Sequence, residues 1–144
     1  RVGSEMCIRD RVKKMENAVL FAAGSCWEGV DFPGDMVSSL IIVKLPFSVP
    51  DPIHEAQREQ YRSLESYIQN VVVPDMQKKL RQGFGRAIRT EQDTCVVSIL
   101  DHRAAKKGKY RGDVLDALPK CQMAEKIDEV EDFIRSRKVE RYYS

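Results

Sequence analysis

Three short, mainly apolar runs, the last two followed by stretches of helical periodicity, constrain this chain more than any other feature. They are "AVLFAA" (residues 18–23), the β-branched-rich "SLIIVKLPF" (39–47) and "CVVSIL" (95–100). Runs of this length, bounded by glycine, proline and polar residues, suit strands buried on both faces, as in a parallel sheet. The segment between the first two, rich in glycine and broken by proline, suits a loop, and the segments after the second and third suit helices. Strands alternating with helices predict an α/β layer fold with a mostly parallel sheet. At 144 residues the chain has room for one such domain and little more.

The helical segments differ in what they can bury. Pro50, Asp51 and Pro52 open a polar stretch in which Ile53, Gln57, Leu64, Tyr67 and Ile68 fall at roughly helical spacing, predicting an exposed helix. Pro74 followed by Asp75 predicts a sharp new helix start, since proline fits the first helical position and an acid favours the N-terminal dipole. From there Met76, Leu80, Phe84, Ala87 and Ile88 make one apolar stripe. "DVLDALP" reads as a short helix stopped by Pro119, after a basic, glycine-containing loop at 106–112. A last helix over 124–138 sets Ile127, Val130, Phe133 and Ile134 on one side.

Bulk properties exclude rather than assign. Hydrophobic residues at 42% and charged residues at 32% are the proportions of an ordinary globular protein, not of a disordered tail or a membrane protein. No apolar run reaches the length of a membrane span. A net charge of +2 is too small to argue for nucleic acid by itself. Cys7, Cys26, Cys95 and Cys121 lack metal-ligand spacing, so no metal site is expected, and with no signal peptide in view they read as reduced thiols of a cytoplasmic protein. His54 and His102 have no ligand-spaced partner either and read as surface or strand-end residues.

One stretch works against local stability. "QGFGRAIRT" (82–90) carries Gly83 and Gly85 inside a helical pattern, at a cost of roughly 2 kcal/mol relative to alanine. On another face of the same pattern Gln82, Arg86 and Arg89 fall at i, i+4 and i+7. Two guanidinium groups a turn apart suit a polyphosphate, because they stay charged and form forked bonds to its oxygens, and glycines beside them let a partner surface approach the backbone. The bland alternative is a solvated basic helix face. The loop "GSCWEGVDFPGD" (24–35) is similarly open: Trp27 suits a loop anchor and Glu28 and Asp31 suit turn acids, or the two acids around Gly29 face a nucleotide. This loop and the residues 101–103 both follow strands, at the edge of a parallel sheet where ligands bind. Asp101 and Arg103 read more naturally as a charge pair at the domain edge than as catalysts.

Taken together, "GSCWEGVDFPGD", "KLPF", "QGFGRAIRTEQD" and "ILDHR", in this order and spacing, resemble the second RecA-like motor domain of the DinG/XPD branch of superfamily-two DNA helicases. The resemblance implies a RecA-like three-layer fold over residues 12–144. It implies that Gln82, Arg86 and Arg89 are the motif VI residues, with the arginines reaching the γ-phosphate of ATP held by the first motor domain, and Gly85 beside them. It implies that Glu28, Gly29 and Asp31 of motif V couple nucleotide to DNA, that Mg²⁺ accompanies the ATP, and that one DNA strand moves 5′ to 3′ through the cleft of a bacterial, cytoplasmic enzyme.

The chain departs from the pattern in three places. Ala23 stands where a hydroxyl residue usually touches a DNA phosphate, so Ser25 or backbone amides would serve. Asp93, Thr94 and Cys95 stand where Asp-x-Gly is usual. Neither a phosphate loop nor an Asp-Glu-x-His motif is present, so the first motor domain, and any iron–sulfur insert, would have to lie outside this sequence. Residues 2–11, "VGSEMCIRDR", resemble a translated transposase sequencing adapter, which makes 1–11 an expected sequencing-adapter scar. A rival class, a stand-alone nucleic-acid-binding or adaptor domain without ATPase activity, stays open, as does an interaction module built on the last amphipathic helix.

Overall fold

A computed structural model describes residues 19–21, 37–90 and 92–139. β1 (Ser39–Ile42) and β2 (Val96–Ile99) form a two-stranded sheet. The Val96 amide donates to the Ser38 carbonyl at 3.0 Å and the Leu100 amide to the Ile42 carbonyl at 2.9 Å. Both strands advance by four residues between these bonds, so the pair is parallel and the crossover between its strands is helical. The α/β class expected for a RecA-like domain is therefore present. The strands are more open than the sequence suggests: Ile42 is buried, but Ile41, Val43 and Leu100 are exposed. Val19 to Phe21 form no strand, and Phe21 is 94% exposed. The rest of that first apolar run lies outside the described residues.

The crossover begins with α1 (Pro52–Glu59), where the Asp51 carboxylate accepts the His54 amide at 2.8 Å and Pro52 occupies the first turn. None of α1 is buried, as its sparse apolar positions require. The single long helix expected here is broken at 60–63. Ser63 then caps a new start, its hydroxyl accepting the Ser66 amide at 3.1 Å.

From that cap the chain stays helical through α2 (Leu64–Tyr67), a π-helical turn (Ile68–Val72) and α3 (Val73–Ala87). The start expected at Pro74 is thus a correction: Ile68 and Val73 already have right-handed helical backbone angles. Proline lacks an N–H and crowds the carbonyl four residues back. The wide turn relieves that crowding, since the Val73 amide bonds the Ile68 carbonyl, five residues back.

The described part divides into two compact units. One comprises Ile41–Gln82 and Ser98–Cys121; its buried apolar residues are Ile42, Leu45, Tyr67, Val73, Met76, Leu80, Val114 and Ala117. Met76 and Leu80 are fully enclosed, as their places on the apolar stripe predict. In this unit α4 (Arg111–Ala117) is tied to α3 by the Gln77 side-chain amide, which donates to the Asp113 carbonyl at 2.8 Å. α4 ends where Leu118, extended ahead of Pro119, cannot continue it. The other unit takes in 37–40, Gly83–Val97 and 122–139. It holds buried Phe84 and Ala87 and α5 (Ile127–Arg137), whose Glu129 carboxylate accepts the Glu125 amide at 2.8 Å. Val130, Phe133 and Ile134 are half-buried on α5, while Ile127 is exposed. Among the described residues no helix is long and apolar enough to cross a membrane.

Candidate functional site

The last turn of α3 sorts its residues by face. Phe84 and Ala87 turn inward with Gly83, whereas Gln82 and Gly85 are exposed and Arg86 is half-buried. The two glycines are therefore not equivalent. A methyl group built on Gly85 would meet no atom within 4 Å. Nothing within the described chain requires glycine there, although the position sits inside a helix where alanine is worth about 1 kcal/mol more.

α3 stops two residues short of Arg89. The Ile88 amide makes the last helical bond, to the Phe84 carbonyl at 3.0 Å. Asp93 then takes the next two donors: one carboxylate oxygen accepts the Arg89 amide at 2.9 Å and the Thr90 amide at 3.0 Å. Those amides, Arg89 first, hold the Asp93 carboxyl below its ordinary range. The helical stripe of Gln82, Arg86 and Arg89 expected from spacing thus needs correction. Gln82 and Arg86 share α3, and exposed Arg89 lies in the turn beyond it, placed by Asp93. The Asp-Thr-Cys sequence, where Asp-x-Gly is usual, retains the aspartate that does this.

Ser25, Glu28, Gly29 and Asp31, with Trp27, lie outside the described residues.

Following β2, Asp101 is buried and Arg103 grips it in a fork. Arg103 Nε donates to both carboxylate oxygens, at 2.9 and 3.1 Å, and Nη2 lies 2.6 Å from Oδ2. Oδ2 also accepts the Leu45 amide at 2.9 Å. The Arg103 side-chain bonds, with the backbone amides of Leu45 and Arg103, hold the Asp101 carboxyl well below the usual carboxylate range against the opposing effect of burial. Arg103 lies 4.8 Å from the centre of the Phe47 ring, which packs on Tyr110 at 5.0 Å. "DHR" is thus a structural clamp on the "KLPF" segment, as the charge-pair reading expected, and His102 points outward, its side chain 93% exposed.

A second network joins Ser48 to the first turns of α3. Ser48 donates its hydroxyl to Asp75 and accepts from Lys79 Nζ at 2.5 Å, and Lys79 also lies 3.1 Å from the Asp75 carboxylate. Desolvation raises the Asp75 carboxyl, but Ser48 and Lys79 outweigh it and leave it below its ordinary value. Only the Asp75–Lys79 pair, one turn apart on a helix, carries a sequence signal.

A family model described as the helicase C-terminal domain matches residues 4–121. The chain belongs to this helicase C-terminal domain family. Similar curated proteins bear the names DinG and YoaA. One is "3'-5' exonuclease DinG" of Bacillus subtilis, 37% identical over 139 residues that make up 94% of this chain and 15% of the relative. Another is "ATP-dependent DNA helicase DinG" of Photobacterium profundum, 41% identical over 77% of this chain and 16% of the relative. "ATP-dependent DNA helicase YoaA" of Escherichia coli is 42% identical over 72% and 16% respectively. This helicase C-terminal domain therefore spans about a sixth of the length of the curated relatives it matches.

Proposed function

We propose that the chain, over residues 12–144, is the C-terminal motor domain of a bacterial, cytoplasmic ATP-dependent DNA helicase, supplying arginine fingers to a nucleotide held by a first motor domain of the same polypeptide. The observation that carries this reading is Gly85. It is exposed, its side-chain space is empty, and it stands next to Arg86 at the end of α3. Glycine at this open position lets a partner surface come close to the helix backbone beside Arg86. The donor set fits a triphosphate: from Gln82 to Thr90 there are two arginines and no acid.

ATP with Mg²⁺ supplies a γ-phosphoryl group whose transfer drives the motor. Arg86 and Arg89 neutralise charge on its equatorial oxygens, worth roughly 10³ to 10⁵ in rate for such fingers. Gln82, a turn before Arg86, adds an uncharged donor to the same ligand. Asp93 keeps Arg89 off the helix axis by holding its amide. In this reading Glu28, Gly29 and Asp31 couple the nucleotide to a single DNA strand, Ser25 contacts its backbone, and the strand moves 5′ to 3′.

The deciding experiment joins this chain to its first motor domain and measures DNA-stimulated ATP turnover. Arg86→Ala or Arg89→Ala should reduce turnover by about 10³ or more and leave ATP binding near normal. Normal turnover in both variants overturns the finger assignment, and a parent protein that binds DNA without turnover favours a stand-alone binding module.

A further inference from the structure

The loop after the Asp101 clamp concentrates charge that the motor reading does not use. Between His102 and Arg111 lie five of the chain's 24 basic residues and none of its 22 acidic ones. One of the five, Arg103, is neutralised by Asp101. Lys106, Lys107 and Lys109 are exposed, and Arg111 is half-buried. For a chain of net charge +2, this is a strong local excess.

The loop is built rather than loose. The Tyr110 amide bonds the Arg103 carbonyl at 3.0 Å, the Gly108 amide bonds the Ala105 carbonyl at 2.7 Å, and the Ala105 amide bonds the His102 carbonyl at 3.1 Å. At Gly108 the backbone passes so close that a methyl group would sit 2.2 Å from the Arg103 carbonyl oxygen. Only glycine permits that pinch. The pinch hangs on Arg103, whose partner Asp101 is buried and bonded to Leu45. The Tyr110 ring is packed on Phe47 and has Lys109 Nζ 5.4 Å from its centre, which rules it out as a platform open for stacking on a base. What the loop offers outward is ammonium groups carried on a fixed backbone.

Its place is equally specific. The Leu100–Ile42 bond sets the two strand ends level, so the loop and exposed Lys44 leave the parallel pair at the same C-terminal edge. Ligands of open parallel sheets bind at that edge.

We propose that Lys107 and Lys109, on the pinched loop 102–111, contact the phosphate backbone of a single-stranded nucleic acid independently of its sequence. The proposal rests on the reading of this domain as a DNA motor and adds to it a backbone contact outside motifs V and VI. Phosphates rather than bases are the match, because ammonium groups on a fixed backbone, without an available aromatic face, give charge neutralisation and no edge readout.

The test is fluorescence anisotropy of labelled oligo-dT and oligo-dA on the 144-residue chain, between about 50 and 200 mM salt. Lys107→Gln with Lys109→Gln should lower the salt slope by about 1.4 and weaken binding about fivefold per lysine at 0.1 M, equally on both oligonucleotides. Lys120→Gln and Lys126→Gln, at exposed sites elsewhere in the chain, should leave the slope unchanged. Circular dichroism establishes that each variant is folded. An unchanged slope in the loop variant overturns the proposal, as does an equal loss in the controls, no oligonucleotide binding by the parent chain, or binding only to anionic vesicles. An unchanged slope together with lost turnover in Arg86→Ala removes the loop contact and leaves the motor reading standing.

Discussion

Arg103 closes on Asp101 two residues before it, Nε reaching both carboxylate oxygens and Nη2 lying 2.6 Å from Oδ2, while the same carboxylate takes the Leu45 amide from the other strand's exit. One buried charge thereby fixes the backbone leaving β1 and β2. Removing it strands an amide and a guanidinium together.

Asp101→Asn should therefore destabilise the chain by about 3 kcal/mol, read from urea unfolding. The carboxyl titrates lower in the folded chain than in the unfolded one, so its contribution is complete above about pH 4 and is lost as pH falls toward the depressed folded value. The stability gap between parent and variant should shrink steadily below pH 4. A constant gap from pH 7 to pH 3 would mean that the carboxylate charge contributes nothing.

Gly85→Ala should raise stability by about 1 kcal/mol, since the added methyl meets open space inside a helix. In the protein joined to its first motor domain, the same change should lower ATP turnover by crowding the surface that approaches Arg86. Higher stability with undiminished turnover would show that the open space faces only solvent.

Asp93→Ala removes the acceptor shared by the Arg89 and Thr90 amides. At this exposed turn the expected loss is about 1 kcal/mol, similar to that of a helix cap. ATP turnover should fall further than stability explains, because Arg89 is no longer held past the end of α3. Equal turnover in a folded variant would separate Asp93 from the placement of Arg89.

Pro74→Ala restores a backbone donor where the π turn has already relieved the ring's clash, so unfolding free energy should change by less than about 1 kcal/mol. A gain near the full interior-proline penalty of about 3 kcal/mol would show that the clash persists.

Much of the first compact unit was legible in sequence because its signals are local and periodic. Met76 and Leu80 announce the packed side of α3 by spacing alone, Asp51 and Pro52 announce the start of α1, and Pro119 announces the end of α4. Pro74 misled because the rule that places proline at a helix start supposes α-helical spacing upstream. A π turn admits the same residue in mid-course. Arg89 was misplaced on the helix for a related reason: periodicity cannot register that Asp93 captures the next two amides. Ser48 gave no signal because its bonds to Asp75 and Lys79 span 27 and 31 residues. The exposure of Ile41 and Val43 escaped because a run of apolar residues records what a strand can bury, not which of its faces is covered.

The course of the loop at Gly108 is written in main-chain atoms and in one absent side chain. The main-chain bonds that set it do not pass through the lysine side chains, so Lys107 can be exchanged for another residue while the path stays put. Position 108 has no such freedom, because any side chain there would force Arg103 away and release the clamp beneath. The loop is in effect a fixed socket with interchangeable pins, and a lineage that altered its pins would retune what it holds without having to refold.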